Sequence, residues 1–219
     1  MNQYRHYLGL WWNKLHSYNG AIENELFISV AAHLANRAAD GRKPYYLSWA
    51  QESWSWFRNS GMINAENTIN DGLNLATCKN NGGIVWSYNQ GVILGALVEL
   101  NLAYPNPTYL TTANSIATAA IAALSDSNGI LHDPCEPNCG NDGPQFKGVF
   151  MRNLQVLQRA APDPAYKTFI DRNADSIWKN ARSEKGNLLG VVWSGPFDAA
   201  TASTQSSALD ALVAAVVAG

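Results

Sequence analysis

"NDGLNLATCKNNGGIVWSYNQGVILGALVEL", Asn70 to Leu100, is the stretch on which the fold turns. Its first half is polar and punctuated by glycine; its second half is apolar, with Ile93, Leu97 and Leu100 at helical spacing. A plain connector needs neither that length nor Trp86 and Tyr88, so the link reads as a functional surface carried by a helical scaffold. The same helical period recurs on both sides. Ile22, Leu26, Val30 and Leu34 form one stripe, and Tyr166, Ile170, Ala174 and Ile177 another, each expected to face a core. Asn106-Pro107 and Asp163-Pro164 place a capping side chain before a proline at the first helical position, and Gly61 reads as a helix stop. About seven helices follow, near residues 20–38, 44–60, 87–104, 108–125, 145–161, 164–182 and 203–218, with no comparable strand pattern.

The links between these helices alternate in character. Short links near 39–43, 105–107 and 162–163 join pairs, whereas long links at 61–86, 126–144 and 183–202 separate them. That alternation predicts an all-α array of antiparallel hairpins whose long links emerge on one face and share a site. Asn-Asp-Gly occurs in both of the first two long links, at Asn70-Asp71-Gly72 and Asn141-Asp142-Gly143.

The 219 residues carry a net charge of -2, suit one domain spanning 1–219, and show no basic stripe, which argues against nucleic acid. No apolar run is long enough for a membrane span, and Met1 to Leu10 lacks the apolar centre of a signal peptide. Eight Trp and nine Tyr suit either core layers or the C–H faces of sugar rings. Cys135 and Cys139 in "HDPCEPNCGNDG" read first as a local disulfide, which implies an oxidising compartment. His132 beside them could belong to a partial zinc site, but no fourth ligand has the usual spacing, so neither metal nor cofactor is expected.

Asp71 is accompanied by Asn70, Asn74, Asn80, Asn81 and Gln90, groups that hydrogen-bond hydroxyls, with Trp86 and Tyr88 as stacking platforms. That mixture describes a carbohydrate cleft, set against the plainer reading of turn chemistry and core aromatics. Glu23 and Glu25 in "AIENELF" read as helix caps before catalysts. Asp133, Glu136 and Asp142 read as loop structure, Asp198 as a cap for the last helix, and Trp11-Trp12 as either core or cleft wall. His6, His16, His33 and His132 lack the partners of a nucleophile triad, and there is no phosphate-binding or dinucleotide glycine motif.

Five ordered motifs then converge: "YNGAIENELFISVAAHLA", "SGMINAENTINDGLN", "CKNNGGIVWSYNQGVILGALVEL", "DPCEPNCGNDGPQFKGVFMRNL" and "WSGPFDAATASTQSSALDALVAA". From about Gly9 to Gly219 they resemble glycoside hydrolase family 76, the endo-α-1,6-mannanases, particularly its fungal members. The resemblance implies a six-hairpin α/α barrel with a cleft across one end, an extracellular or cell-wall setting, and α-1,6-linked mannan as partner. It implies that Asp71, Trp86, Tyr88, Gln90, Trp12 and Asp142 hold the sugar. It also implies a retaining mechanism on two consecutive aspartates, before a "GGIWW"-type motif to which Gly9-Leu10-Trp11-Trp12 corresponds. This sequence contains no Asp-Asp pair. A barrel of about twelve helices needs well over 300 residues. The expectation is therefore the C-terminal part of such a barrel, without the catalytic pair, the first hairpins or a leader, and with an exposed apolar face prone to self-association. The alternative is a non-catalytic mannan-binding remnant or a gene fragment; an unrelated α/α polysaccharide lyase would need a Tyr/His or Arg constellation that is not visible.

Overall fold

The structure, a computed structural model, describes residues 9–39 and 41–218. Met1 to Leu8, on which the leader reading and His6 fall, lie outside the described residues. Among the described residues there are seven α-helices: α1 (Ala21–Arg37), α2 (Lys43–Ser60), α3 (Ser87–Ala103), α4 (Pro107–Ala123), α5 (Phe146–Ala160), α6 (Pro164–Asn180) and α7 (Ala202–Ala218). A short hairpin, β1 (Leu73–Asn74) with β2 (Lys79–Asn80), and a 3-10 turn at Gly143–Gln145 lie in the long links. The expected caps are made. Asn106 Oδ1 accepts from the Thr108 N–H at 3.0 Å and Asp163 Oδ1 from the Ala165 N–H at 2.8 Å, each ahead of a proline. Gly61 ends α2 at a φ of 87°, a left-handed conformation that glycine adopts freely.

The packing order explains the alternation of links. α1, α3, α5 and α7 lie side by side as an inner wall, while α2, α4 and α6 back them from outside. The inner helices run parallel. At the end of α1, Asn36 and Arg37 both bond Glu99 near the end of α3, whereas at the other end the Ala21 N–H donates to Asp71 O and the Ile69 N–H to Gln90. Helices approach closely where glycine leaves room. A Cβ on Gly91 would come within 2.5 Å of Phe150 Cα, and one on Gly148 within 2.5 Å of Ser207 Cα.

Each long link opens with one small antiparallel bridge: Ile63 with Ile69, Ser125 with Leu131, Arg182 with Leu189. A helix amide pins each one, because Ile69, Leu131 and Leu189 donate their backbone N–H to Gln90, Asn173 and Gln205 at 2.8, 2.8 and 3.0 Å. Pinning all three links in one way satisfies buried backbone donors and keeps the loops on a common face.

One stripe departs from expectation. Ile93, Leu97, Leu100, Tyr166, Ile170, Ala174 and Ile177 are buried as predicted, but Leu26, Val30 and Leu34 are exposed, and Ile22 and Leu26 line the cavity between α1, α3 and α5. The face of α1 that packs inward is the small one, Ala21, Ile28, Ala31, Ala32 and Ala35. Val30 and Leu34 of the stripe stay uncovered, as do Leu209, Val213, Val216 and Val217 on α7. These are the exposed apolar faces that an open arc leaves.

Candidate saccharide site

Two cavities lie at the link end of the inner wall and share Trp12 and Tyr88. The smaller, about 190 Å³, is lined by Trp12, Tyr18, Gly20, Ile22, Glu23, Asp71 and Tyr88. The larger, about 690 Å³, continues between α1, α3 and α5, where Asp142, Gln145 and Phe146 join Trp12 and Tyr88 at its wall.

The small cavity is built by two strands of backbone meeting before α1. Gly20 bridges Gly72, and the Leu73 N–H donates to Asn19 O at 2.9 Å, which brings Asp71 against the first turn of α1. Gly72 is required there, since a Cβ would sit 2.5 Å from the Tyr18 hydroxyl. That hydroxyl donates to Asp71 Oδ2 at 2.6 Å and accepts from Asn81 Nδ2 at 3.2 Å. Asp71 is thus an oriented, half-buried carboxylate at the cavity wall, not merely a turn residue. Burial, then the bond and charge of Asp71, raise the Tyr18 hydroxyl above its ordinary range, so it remains a donor.

Glu23 has two roles. One oxygen accepts from the Gly20 N–H at 2.5 Å, the expected cap, while the side chain also lines the small cavity. Burial raises its carboxyl above the ordinary range, with the Asp71 charge adding to the effect. Glu25 departs from expectation. It caps nothing: it is 0% exposed and neither oxygen has a hydrogen-bond partner. Burial, followed by the charges of Glu23 and Asp71, pushes it well above the usual carboxylate range.

The predicted sugar-holding residues divide. Trp12, 65% exposed, Tyr88, Asp71 and Asp142 all line one cavity or both. Trp86 is half-buried and meets Phe146 edge to face at 5.6 Å, standing behind the wall; Tyr88 packs on the same ring at 4.1 Å. Gln90 is fully buried and its amide is spent on Ile69 and Trp86, so it builds the link instead of facing the cavity. Asn70, Asn74 and Asn80 likewise bond the loop's own backbone or one another. Trp11 stacks on His16 at 5.0 Å. Asp198 does not cap α7; it accepts from the Val191 N–H at 3.0 Å and braces its own link.

The wall carrying Asp142 is stapled from beneath. Cys135 and Cys139 form a disulfide, so neither sulfur is available as a thiolate ligand, and Gly143 packs directly on both. Between them Glu136 reaches the buried Lys147 Nζ at 2.5 Å; Lys147 also donates to Val191 O at 2.6 Å and sits 4.5 Å from the Trp193 ring centroid. Asp133 accepts from Ser87 N and Oγ at 2.9 and 2.6 Å, tying the second link to the start of α3. Burial lowers the Lys147 ammonium, against the opposing pull of Glu136, and burial raises Asp133, against the bonds from Ser87.

Sequence reasoning missed Tyr18 and Lys147. Tyr18 had a signal in the "YNG" that opens the first motif, and Lys147 stands as a lone charge inside the otherwise uncharged "PQFKGVFM".

Parallel inner helices backed by outer ones, with an aromatic and acidic cleft at the end where the long links gather, define an arc of an α/α toroid. The profile of Glycosyl hydrolase family 76 matches residues 9–219, and the chain belongs to that family. It is 28% identical over 193 residues to mannan endo-1,6-alpha-mannosidase DCW1 of Candida albicans, covering 83% of this chain and 42% of that protein. DFG5 of Saccharomyces cerevisiae, another mannan endo-1,6-alpha-mannosidase, is 26% identical, with 83% and 41% covered. The fold superposes at a TM-score of 0.82 and 21% identity on an α-1,6-mannanase, GH76A of Salegentibacter sp. HEL1_6, covering 96% of this chain and 63% of that one. That structure is an inactive variant, with two adjacent aspartates replaced, in complex with α-1,6-mannotriose. The chain therefore spans about two-fifths of the length of the curated relatives it matches.

Proposed function

We propose that this chain forms the saccharide-holding part of a mannan endo-1,6-α-mannosidase-type site, with α-1,6-linked mannan as the substrate class. The observation that carries the reading is the small cavity in which Asp71, oriented by Tyr18, faces Trp12 and Tyr88. A carboxylate that accepts from vicinal hydroxyls and flat rings that cover C–H faces are the two halves of sugar recognition. Membership of the family and the mannotriose complex of the Salegentibacter protein support it.

Retaining hydrolysis needs two carboxyl groups about 5–5.5 Å apart. In the Salegentibacter protein the variant lacking two adjacent aspartates is inactive, and these 219 residues contain no adjacent pair. The chain's own contribution is accordingly binding, and bond cleavage requires a pair supplied from outside these residues. The disulfide and the family membership favour an extracellular or cell-wall setting. The uncovered stripes on α1 and α7 favour self-association when the chain is isolated. Among the described residues no helix is long and apolar enough to cross a membrane.

Calorimetric titration with α-1,6-mannotriose, and with a β-1,4-linked mannotriose as control, tests the reading. Saturable binding of the first alone is expected; equal or absent binding of both would refute it.

A further inference from the structure

Beneath the small cavity lies a layer of polar groups that the saccharide reading does not use. Glu25 on α1 is 0% exposed with both oxygens unpartnered, and Asn89 on α3 is 0% exposed with both amide atoms unpartnered. Asn19, also fully buried, has a free Nδ2 donor. The register of the inner wall sets the first two at one level. Asn36 bonds Glu99 across the α1–α3 seam, and eleven residues back along each helix, about three turns, stand Glu25 and Tyr88, with Asn89 next to Tyr88. The inward faces of α1 and α3 meet there, and Glu23, Asp71 and Tyr88 all lie within electrostatic reach of Glu25.

Unpaired buried polar atoms are rare in native proteins, and several together in one seam mark a hydrogen-bonding guest. The seam offers acceptors on Glu25 and Asn89 and a donor on Asn89, and a water molecule needs two to four such partners. Full burial excludes a sugar from these atoms, so the guest is small.

We propose that Glu25 and Asn89 hold a buried water across the α1–α3 seam and through it fix the first turn of α3, so that Tyr88 presents its ring to the saccharide cavity. Glu25 is then a positioning residue that never touches sugar. Its effect on affinity rests on the saccharide reading; the water itself does not.

The test has two arms. A crystal structure of the chain is expected to show an ordered water within hydrogen-bond distance of both Glu25 and Asn89; a dry seam, or side chains bonded elsewhere, overturns the proposal. In the second arm, α-1,6-mannotriose affinity is compared across folded variants. Glu25→Gln, which keeps the shape and one acceptor, is expected to bind within roughly 3-fold of wild type, and Glu25→Leu or Asn89→Leu to lose roughly 10-fold or more. Glu25→Leu binding as wild type overturns the proposal. If wild type itself binds no mannotriose, the saccharide reading fails, while the crystal arm still decides the water.

Discussion

Replacing Lys147 by methionine keeps the apolar stem and removes one charge from the staple that joins two long links. The ammonium contacts Glu136 at 2.5 Å, Val191 O at 2.6 Å and the Trp193 ring at 4.5 Å, all from a nearly buried position. Removing it strands the Glu136 carboxylate, whose side chain is 2% exposed and whose other bonds come from the Asp133 N–H and His132. Breaking a buried pair from one side costs about 3–5 kcal/mol, a large share of the roughly 5–15 kcal/mol that holds a domain folded. At about 2–4 °C per kcal/mol for a chain of this size, the melting temperature should fall by roughly 6–20 °C. Thermal unfolding followed by circular dichroism at pH 7 measures it. Lys147→Met/Glu136→Gln should recover a good part of the loss, since no uncompensated charge then remains. A fall worth less than about 1 kcal/mol in the single variant, or no recovery in the double, would refute the assignment of this pair as the staple.

Asp71→Asn should weaken α-1,6-mannotriose binding by about 1–3 kcal/mol in calorimetry while leaving the fold intact; unchanged affinity would return Asp71 to turn chemistry. Glu25→Gln should change the dependence of stability on pH. The folded carboxyl is raised and the unfolded one is ordinary, near 4.3, so above that pH the folded state holds more protons and wild-type stability falls by about 1.4 kcal/mol per unit until the folded group ionises. The variant lacks that slope, so urea unfolding should find its stability relative to wild type greater at pH 7 than at pH 4; parallel profiles would contradict a buried carboxyl raised by its surroundings. Val213→Lys with Val216→Lys should shift the isolated chain toward monomer in light scattering, and an unchanged mass would remove the α7 edge from the association.

The hairpin order was legible because its signals are local. Prolines after Asn106 and Asp163 start helices, Gly61 stops one, and alternating link lengths fix which helices pair. What a face meets is not local, and there the reading went astray. Periodicity found the stripe Ile22, Leu26, Val30 and Leu34, but α1 buries Ala21, Ala31, Ala32 and Ala35 and leaves that stripe to a cavity and to solvent. Gln90 looked like a sugar ligand because its partners, the backbone groups of Ile69, lie twenty-one residues away and are invisible to spacing. The same holds for Tyr18, whose partner Asp71 is fifty-three residues downstream, and for Lys147 with Val191. That Trp12, Asp71, Tyr88 and Asp142 reach a cavity was legible because each stands in a loop or first turn whose polar, glycine-rich neighbours announce a surface.

The most direct measurement is a crystal structure of this chain soaked with α-1,6-mannotriose. The account predicts a mannose ring in the small cavity, against Trp12 and Tyr88, with a hydroxyl donating to Asp71. Sugar bound elsewhere on the molecule, or that cavity unoccupied at saturating ligand, would contradict it.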